Sequence, residues 1–163
     1  MLPLRGGKGW LYEGGIRVPL LIKPANYLSE NTINNTPVIG HDFFPTILAQ
    51  AKIKIDKNSI IDGVDLSEIL KENGEIDRKE LFWHYPHYHG SGWAPGAAIR
   101  QGNWKLIEFY ETETVELYNL QEDISEHNNL AEQHPAKVKL LLKRLYELQK
   151  NANANTVTIN KNY

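Results

Sequence analysis

The chain of 163 residues contains no cysteine. A disulfide framework and any thiolate metal site are therefore excluded, and the redox compartment cannot be read from the sequence. Long apolar runs are missing as well: none approaches the ~20 residues of a membrane-spanning helix. The opening Met1-Leu2-Pro3-Leu4-Arg5 is too short and not apolar enough for a secretory signal. Neither sign of charge dominates. Lys and Arg number 18 against 20 Asp and Glu, a formal net charge of -2, so no basic field points to nucleic acid or to an anionic membrane surface. No acidic cluster gathers the several oxygen ligands that a hard cation needs.

What is present suits a soluble globular fold. Hydrophobic residues make up 41% and charged residues 23%, and the length is sufficient for one domain with a core. The apolar run around Val18-Pro19-Leu20-Leu21-Ile22 predicts a buried strand over 16–23, stopped by Pro24. Residues 25–37 are polar and turn-rich, hence a loop. Phe43, Phe44, Ile47 and Leu48 recur at helical spacing and predict a helix over 41–51, with Asp42 as its cap or first-turn acid. Asp62-Gly63-Val64-Asp65-Leu66 reads as a turn leading into a short helix through Leu70. Beyond the charged stretch 71–79 the pattern turns to strands. Aromatic 81–85 is one, 97–100 and 104–110 form a hairpin around Gln101-Gly102-Asn103, and 115–120 is a further strand. Pro135 opens the clearest helix, with Val138, Leu141, Leu142, Leu145 and Leu148 as its apolar stripe. Residues 151–163 read as a polar tail.

The densest chemistry lies at Gly6-Gly7-Lys8-Gly9-Trp10-Leu11-Tyr12-Glu13-Gly14-Gly15-Ile16-Arg17-Val18-Pro19. Glycine lets backbone approach a ligand closely, and a lysine held there is a compact point charge suited to phosphate or sulfate. It is not a P-loop, because Gly9 rather than Ser or Thr follows Gly7-Lys8. By composition alone it would be a surface turn with a solvated lysine.

This string resembles the lysine loop of the type I sulfatases, in the alkaline-phosphatase-like superfamily. Ordered matches continue downstream: Asp42-Phe43-Phe44-Pro45-Thr46-Ile47-Leu48, then Asp62-Gly63-Val64-Asp65-Leu66, then Ala98-Ile99-Arg100-Gln101-Gly102-Asn103-Trp104-Lys105-Leu106-Ile107. Glu116-Leu117-Tyr118-Asn119-Leu120 follows, with Asp123, Glu126, Asn129 and Leu130. The resemblance implies an α+β chain. Residues 1–75 would complete the C-terminal end of an α/β catalytic domain, and residues 76–150 would form a small antiparallel sheet with a C-terminal helix. It further implies sulfate-ester hydrolysis, with Lys8 contacting a sulfate oxygen. Glu13 and Arg17 are read as holding the loop's shape, as an ion pair. A sulfated small molecule or glycan is the implied substrate, and a periplasmic or secreted location follows from family habit. A phosphonate or phosphate ester hydrolase of the same superfamily, and a non-catalytic carbohydrate-binding module, are the alternatives.

His84-Tyr85-Pro86-His87-Tyr88-His89 admits three readings. Imidazoles close in sequence can share zinc, but Pro86 breaks their spacing and no acid or thiol lies among them. An aromatic hairpin packed on the sheet is the plainest reading. A substrate-lining loop is the one adopted, with His87 and His89 the leading candidates and His84 the third.

The sulfatase resemblance also implies calcium and a formylglycine made within a Cys/Ser-x-Pro-x-Arg motif. No serine here begins that motif, and the acidic metal ligands of the family have no counterpart. The sequence thus predicts a C-terminal sulfatase fragment, inactive by itself, whose truncated edge along Val18 to Ile22 stays apolar and exposed and supports homo-oligomerisation.

Overall fold

The computed structural model describes residues 2–23, 32–71, 74–158 and 160. Contacts divide the chain into two compact units, Met1–Pro19 with Lys79–Tyr163, and Leu20–Arg78. Each is considered by itself.

The first unit is built on a four-stranded antiparallel sheet. Strands β1 (Glu80–Tyr85), β2 (Gly96–Gln101), β3 (Trp104–Phe109) and β4 (Thr114–Asn119) lie in the order β1-β2-β3-β4. The β2–β3 connection is the tight hairpin that the sequence predicts. Gln101 pairs with Trp104, leaving Gly102 and Asn103 as the turn. Gly102 takes φ +59, a left-handed value that side chains disfavour.

Alternation along the strands gives the sheet two dissimilar faces. One carries Phe82, Ala97, Ile99, Leu106 and Leu117 against helix α3 (Pro135–Asn151). Pro135 sits at the start of α3, where its missing N–H costs nothing. The apolar stripe supplies the contact, and Leu141 and Leu145 are fully buried. The opposite face carries Ala98, Ile107 and Tyr118, covered by Leu11 and Tyr12 of the Gly-rich segment and by Trp93. The sheet is thus held between a helix and a glycine-rich loop.

The strand expected over 16–23 does not form. Helix α1 (Glu13–Ile16) is a single turn, and 17–23 run on without regular structure. Val18 is 71% and Leu21 95% exposed. The four strands pair only with one another, so no ladder is offered to this segment among the described residues, and Pro19 has no N–H to contribute.

In the second unit a 3-10 turn (Gly40–Asp42) leads into helix α2 (Phe43–Gln50). The buried face of α2 differs from the expected one. Pro45 and Thr46 are buried while Phe43, Phe44 and Ile47 are exposed, because α2 packs its Thr46 side on the Asp62–Leu66 turn. Residues 67–70 form hydrogen-bonded turns rather than a short helix. Among the described residues no helix is long and apolar enough to cross a membrane.

Candidate functional site

The Gly-rich segment folds back on itself before meeting the sheet. Trp10 N–H donates to Gly7 O at 3.0 Å, and Gly14 N–H donates to Arg5 O at 2.8 Å. The crossing is so close that a Cβ on Gly15 would stand 2.1 Å from Trp10 O. Lys8 projects from the first of these turns. It is exposed, and its ammonium has no partner among the described residues.

What anchors the loop is a buried ion cluster. Glu13, 1% exposed, accepts from Lys105 Nζ at 3.0 Å on β3. Lys105 Nζ also lies 2.8 Å from Glu126 Oε1, and both residues are completely buried. Glu126 Oε2 in turn accepts from Glu13 N–H at 2.6 Å. Arg17 and Arg100 approach Glu13 Oε2 at 3.5 and 3.9 Å. Burial pushes the Glu126 carboxyl above its ordinary range, with the Lys105 ammonium opposing. The expected Glu13–Arg17 pair is therefore present, but Lys105 is the closer partner.

A second anchor runs through Arg5. Its guanidinium stacks 3.9 Å over the Tyr12 ring and donates to Tyr118 Oη and to Glu126 O, each at 2.8 Å. Tyr12 and Tyr118 both donate to Glu116 Oε2, at 2.7 and 2.9 Å. Burial and this carboxylate push both phenols well above their ordinary range, so both keep their protons.

The histidines separate across the sheet. His89 lies against the lysine loop: Gly9 adopts φ +90, and a Cβ there would stand 2.2 Å from His89 Nδ1. Trp10 Nε1–H donates to Ser91 O at 3.2 Å, joining the loop to the turn that carries His89. The Tyr85 ring stands 5.7 Å from that of His87 and 6.3 Å from that of His89, centroid to centroid. Gly9, the neighbour of Lys8 in the chain, thus meets His89, whose ring lies near that of Tyr85, as the ring of His87 does.

His84 faces α3 instead, beside Phe82 in strand register. Its Nε2 stands 2.7 Å from Asn155 O, so Nε2 carries the proton, and Nδ1 stands 2.8 Å from Tyr110 Oη. Gln149 Nε2 donates to that same hydroxyl at 2.8 Å. Both ring nitrogens of His84 are occupied by the protein. No group of three or more His, Asp or Glu side chains converges as a metal site among the described residues.

The downstream motifs of the second unit are explained by packing. Asp42 is completely buried and accepts from Ile39 N–H at 2.8 Å, from Val64 N–H at 3.0 Å, and from both arms of Arg78. Burial opposes ionisation of this carboxyl, but Arg78 and the two amides more than offset it and hold Asp42 below its ordinary range. Thr46 Oγ1 donates to Asp42 O and accepts from Leu66 N–H at 2.9 Å. The Asp-x-x-Pro-Thr and Asp-Gly-x-Asp-Leu strings are two halves of one knot.

Sequence reasoning missed Lys105 and Ser91. A signal for Lys105 existed: it shares strand parity with Ile107, so a core-facing lysine had to find buried acids. Ser91 carried no such signal, since its partners come from a turn whose shape alternation does not specify.

Comparison with known proteins places the chain. The family model described as "N-sulphoglucosamine sulphohydrolase, C-terminal" matches residues 7–151. A sulfatase of Formosa agariphila is 38% identical over 82% of this chain and 26% of its own length. Human arylsulfatase A is 35% identical over 65% of this chain and 20% of its own. The crystal structure of Ps i-CgsB superposes with a TM-score of 0.74 at 28% identity, covering 90% of this chain and 32% of that one. The structure of BT4656 with its substrate D-glucosamine-2-N,6-O-disulfate gives a TM-score of 0.57 at 32% identity, covering 67% and 23%. The chain thus spans about a quarter of the length of the Formosa relative.

Proposed function

The chain belongs to the N-sulphoglucosamine sulphohydrolase C-terminal family of sulfatases, and from that premise we propose that it is the C-terminal portion of an enzyme hydrolysing sulfate esters of glycans. Residues 1–75 complete the edge of the catalytic domain in this reading, and 76–150 supply the subdomain beside the cleft. The observation that carries it is the seating of the lysine loop on His89, with Gly9 against the imidazole and Trp10 bonded to Ser91 O. In this reading the unpaired Lys8 ammonium works beside His87, His89 and Tyr85, whose rings lie near one another.

That arrangement suits a sulfated sugar. Lys8 contacts a sulfate oxygen and offsets the charge that grows there in the transition state. His87 and His89 line the sugar side, where ring N–H groups meet hydroxyl or ether oxygens. The loop backbone needs no refolding to bring the ammonium to the sulfate, and the ion cluster beneath Glu13 is what holds that backbone in place. His84, engaged with Tyr110 and Asn155, takes no part in this reading.

Calcium and formylglycine belong to the family chemistry, but the residues here do not fit them. No cysteine is present, and no group of three or more His, Asp or Glu side chains converges as a metal site among the described residues. This reading places both groups in sequence beyond these 163 residues, leaves the chain inactive alone, and locates the whole enzyme in the periplasm or outside the cell. The second-copy contact along Val18 to Ile22 applies only to the chain by itself, where light scattering tests it.

The functional test compares sulfate-ester with phosphonate-ester turnover by the intact protein, since one lysine could serve either tetrahedral anion. The reading expects the sulfate ester to be the better substrate. Preference for the phosphonate ester would overturn it in favour of another hydrolase of the superfamily.

A further inference from the structure

His89 is held from more directions than a substrate-lining residue needs for packing. Its own N–H donates to Trp93 O at 3.0 Å, and its carbonyl accepts from Gly92 N–H at 2.9 Å, closing a tight turn. Inside that turn Ser91 addresses the imidazole twice. Ser91 N–H donates to Nδ1 at 3.1 Å, and Ser91 Oγ stands 2.7 Å from the same nitrogen. Gly9 also lies against the ring, where a Cβ would stand 2.2 Å from Nδ1.

An amide N–H can only donate, so Nδ1 must accept, and the neutral ring carries its one proton on Nε2. With Nδ1 accepting, the Ser91 hydroxyl is the donor in the second contact. Nε2 has no partner among the described residues.

We infer that Ser91 is a positioning residue that fixes His89 as an Nε2–H donor beside the lysine loop, for an oxygen acceptor on a sulfated sugar. The inference rests on the sulfatase reading and deepens it. Lys8 is a point charge on a flexible stem and attracts an anion with little regard to direction. A clamped imidazole N–H is directional, so it reads where the sugar's acceptor oxygen lies. The backbone amide of Ser91 decides the tautomer, and its hydroxyl locks the ring plane. In this arrangement His89 cannot serve as a base through Nδ1, because that lone pair is already taken.

The test uses the intact protein labelled with 15N at histidine. Long-range proton–nitrogen correlation should show His89 protonated at Nε2 and bare at Nδ1, in wild type and in Ser91→Thr alike. Adding D-glucosamine-2-N,6-O-disulfate should shift the Nε2–H resonance. Ser91→Ala should weaken that binding about five-fold, roughly what one hydrogen bond contributes, raising KM more than it lowers kcat, and Ser91→Thr should restore it. A His89 protonated at Nδ1, a mixture of tautomers, or Ser91→Ala binding as tightly as wild type would each overturn the inference. Loss of the inference and loss of the functional reading remain distinguishable. Sulfate-ester turnover without any shift at His89 sinks only the inference, whereas a fixed tautomer in a protein that turns over no sulfate ester sinks the reading beneath it.

Discussion

Lys105 Nζ, with no exposure to solvent, stands 3.0 Å from Glu13 Oε1, tying strand β3 to the loop that presents Lys8. Lys105→Met would remove the only fully buried cation of the cluster and leave Glu13 and Glu126 facing each other without it. Stripping one partner from a buried ion pair costs about 3–5 kcal/mol. The urea midpoint should fall accordingly, and an unchanged midpoint would mean that the loop is held by its apolar contacts alone.

Asp42 sets the acid limit of the second unit. Its folded carboxyl ionises below its ordinary range, so at acid pH the unfolded chain binds the extra proton. The stabilisation is therefore full above the ordinary carboxylate range and is lost as pH falls through the lowered value. Denaturation midpoints measured against pH should drop in that acid window. Asp42→Asn should be less stable at neutral pH and show a flatter acid limb; equal slopes for the two proteins would refute the assignment.

Gly9→Ala should damage the site more than the fold. The left-handed backbone costs a non-glycine residue about 1–3 kcal/mol, and the new methyl group would collide with His89 Nδ1. Thermal unfolding should shift by a few degrees while KM for a sulfate ester rises several-fold. A variant with wild-type KM would show that the contact between loop and imidazole is not needed for substrate binding.

The parts of this fold that were legible in the sequence are those fixed by local rules. Gly102 marks the β2–β3 hairpin because the turn needs positive φ, and Pro135 with the leucine stripe marks α3 because both signals belong to one helix. The strand expected over 16–23 failed because a strand needs a neighbour, and the four strands described pair among themselves. The helix 41–51 was placed to within a turn, yet its buried face was misjudged, since Asp42 and Thr46 rather than Phe43 and Ile47 meet the rest of the unit.

The candidate site was legible through its motif and obscure in its geometry. Lys8 stood out from its glycines. Consecutive histidines suggested a single cluster, but strand alternation sends His84 to the α3 face, while His89 lies beyond the end of β1 in a turn that reaches Gly9. Ser91 acts on His89 from within a turn, and Lys105 acts through Glu13, 92 positions away along the chain. No spacing rule reaches that far.

The most direct test is the turnover number of the intact protein carrying Lys8→Ala, measured with a sulfate ester at saturating substrate. If Lys8 stabilises charge on the sulfate in the transition state, kcat should fall about 10²–10³-fold, as when one donor to a developing oxyanion is removed, with the unfolding temperature unchanged because Lys8 is exposed and unpaired. A kcat within two-fold of wild type would contradict the assignment of the lysine loop to the sulfate.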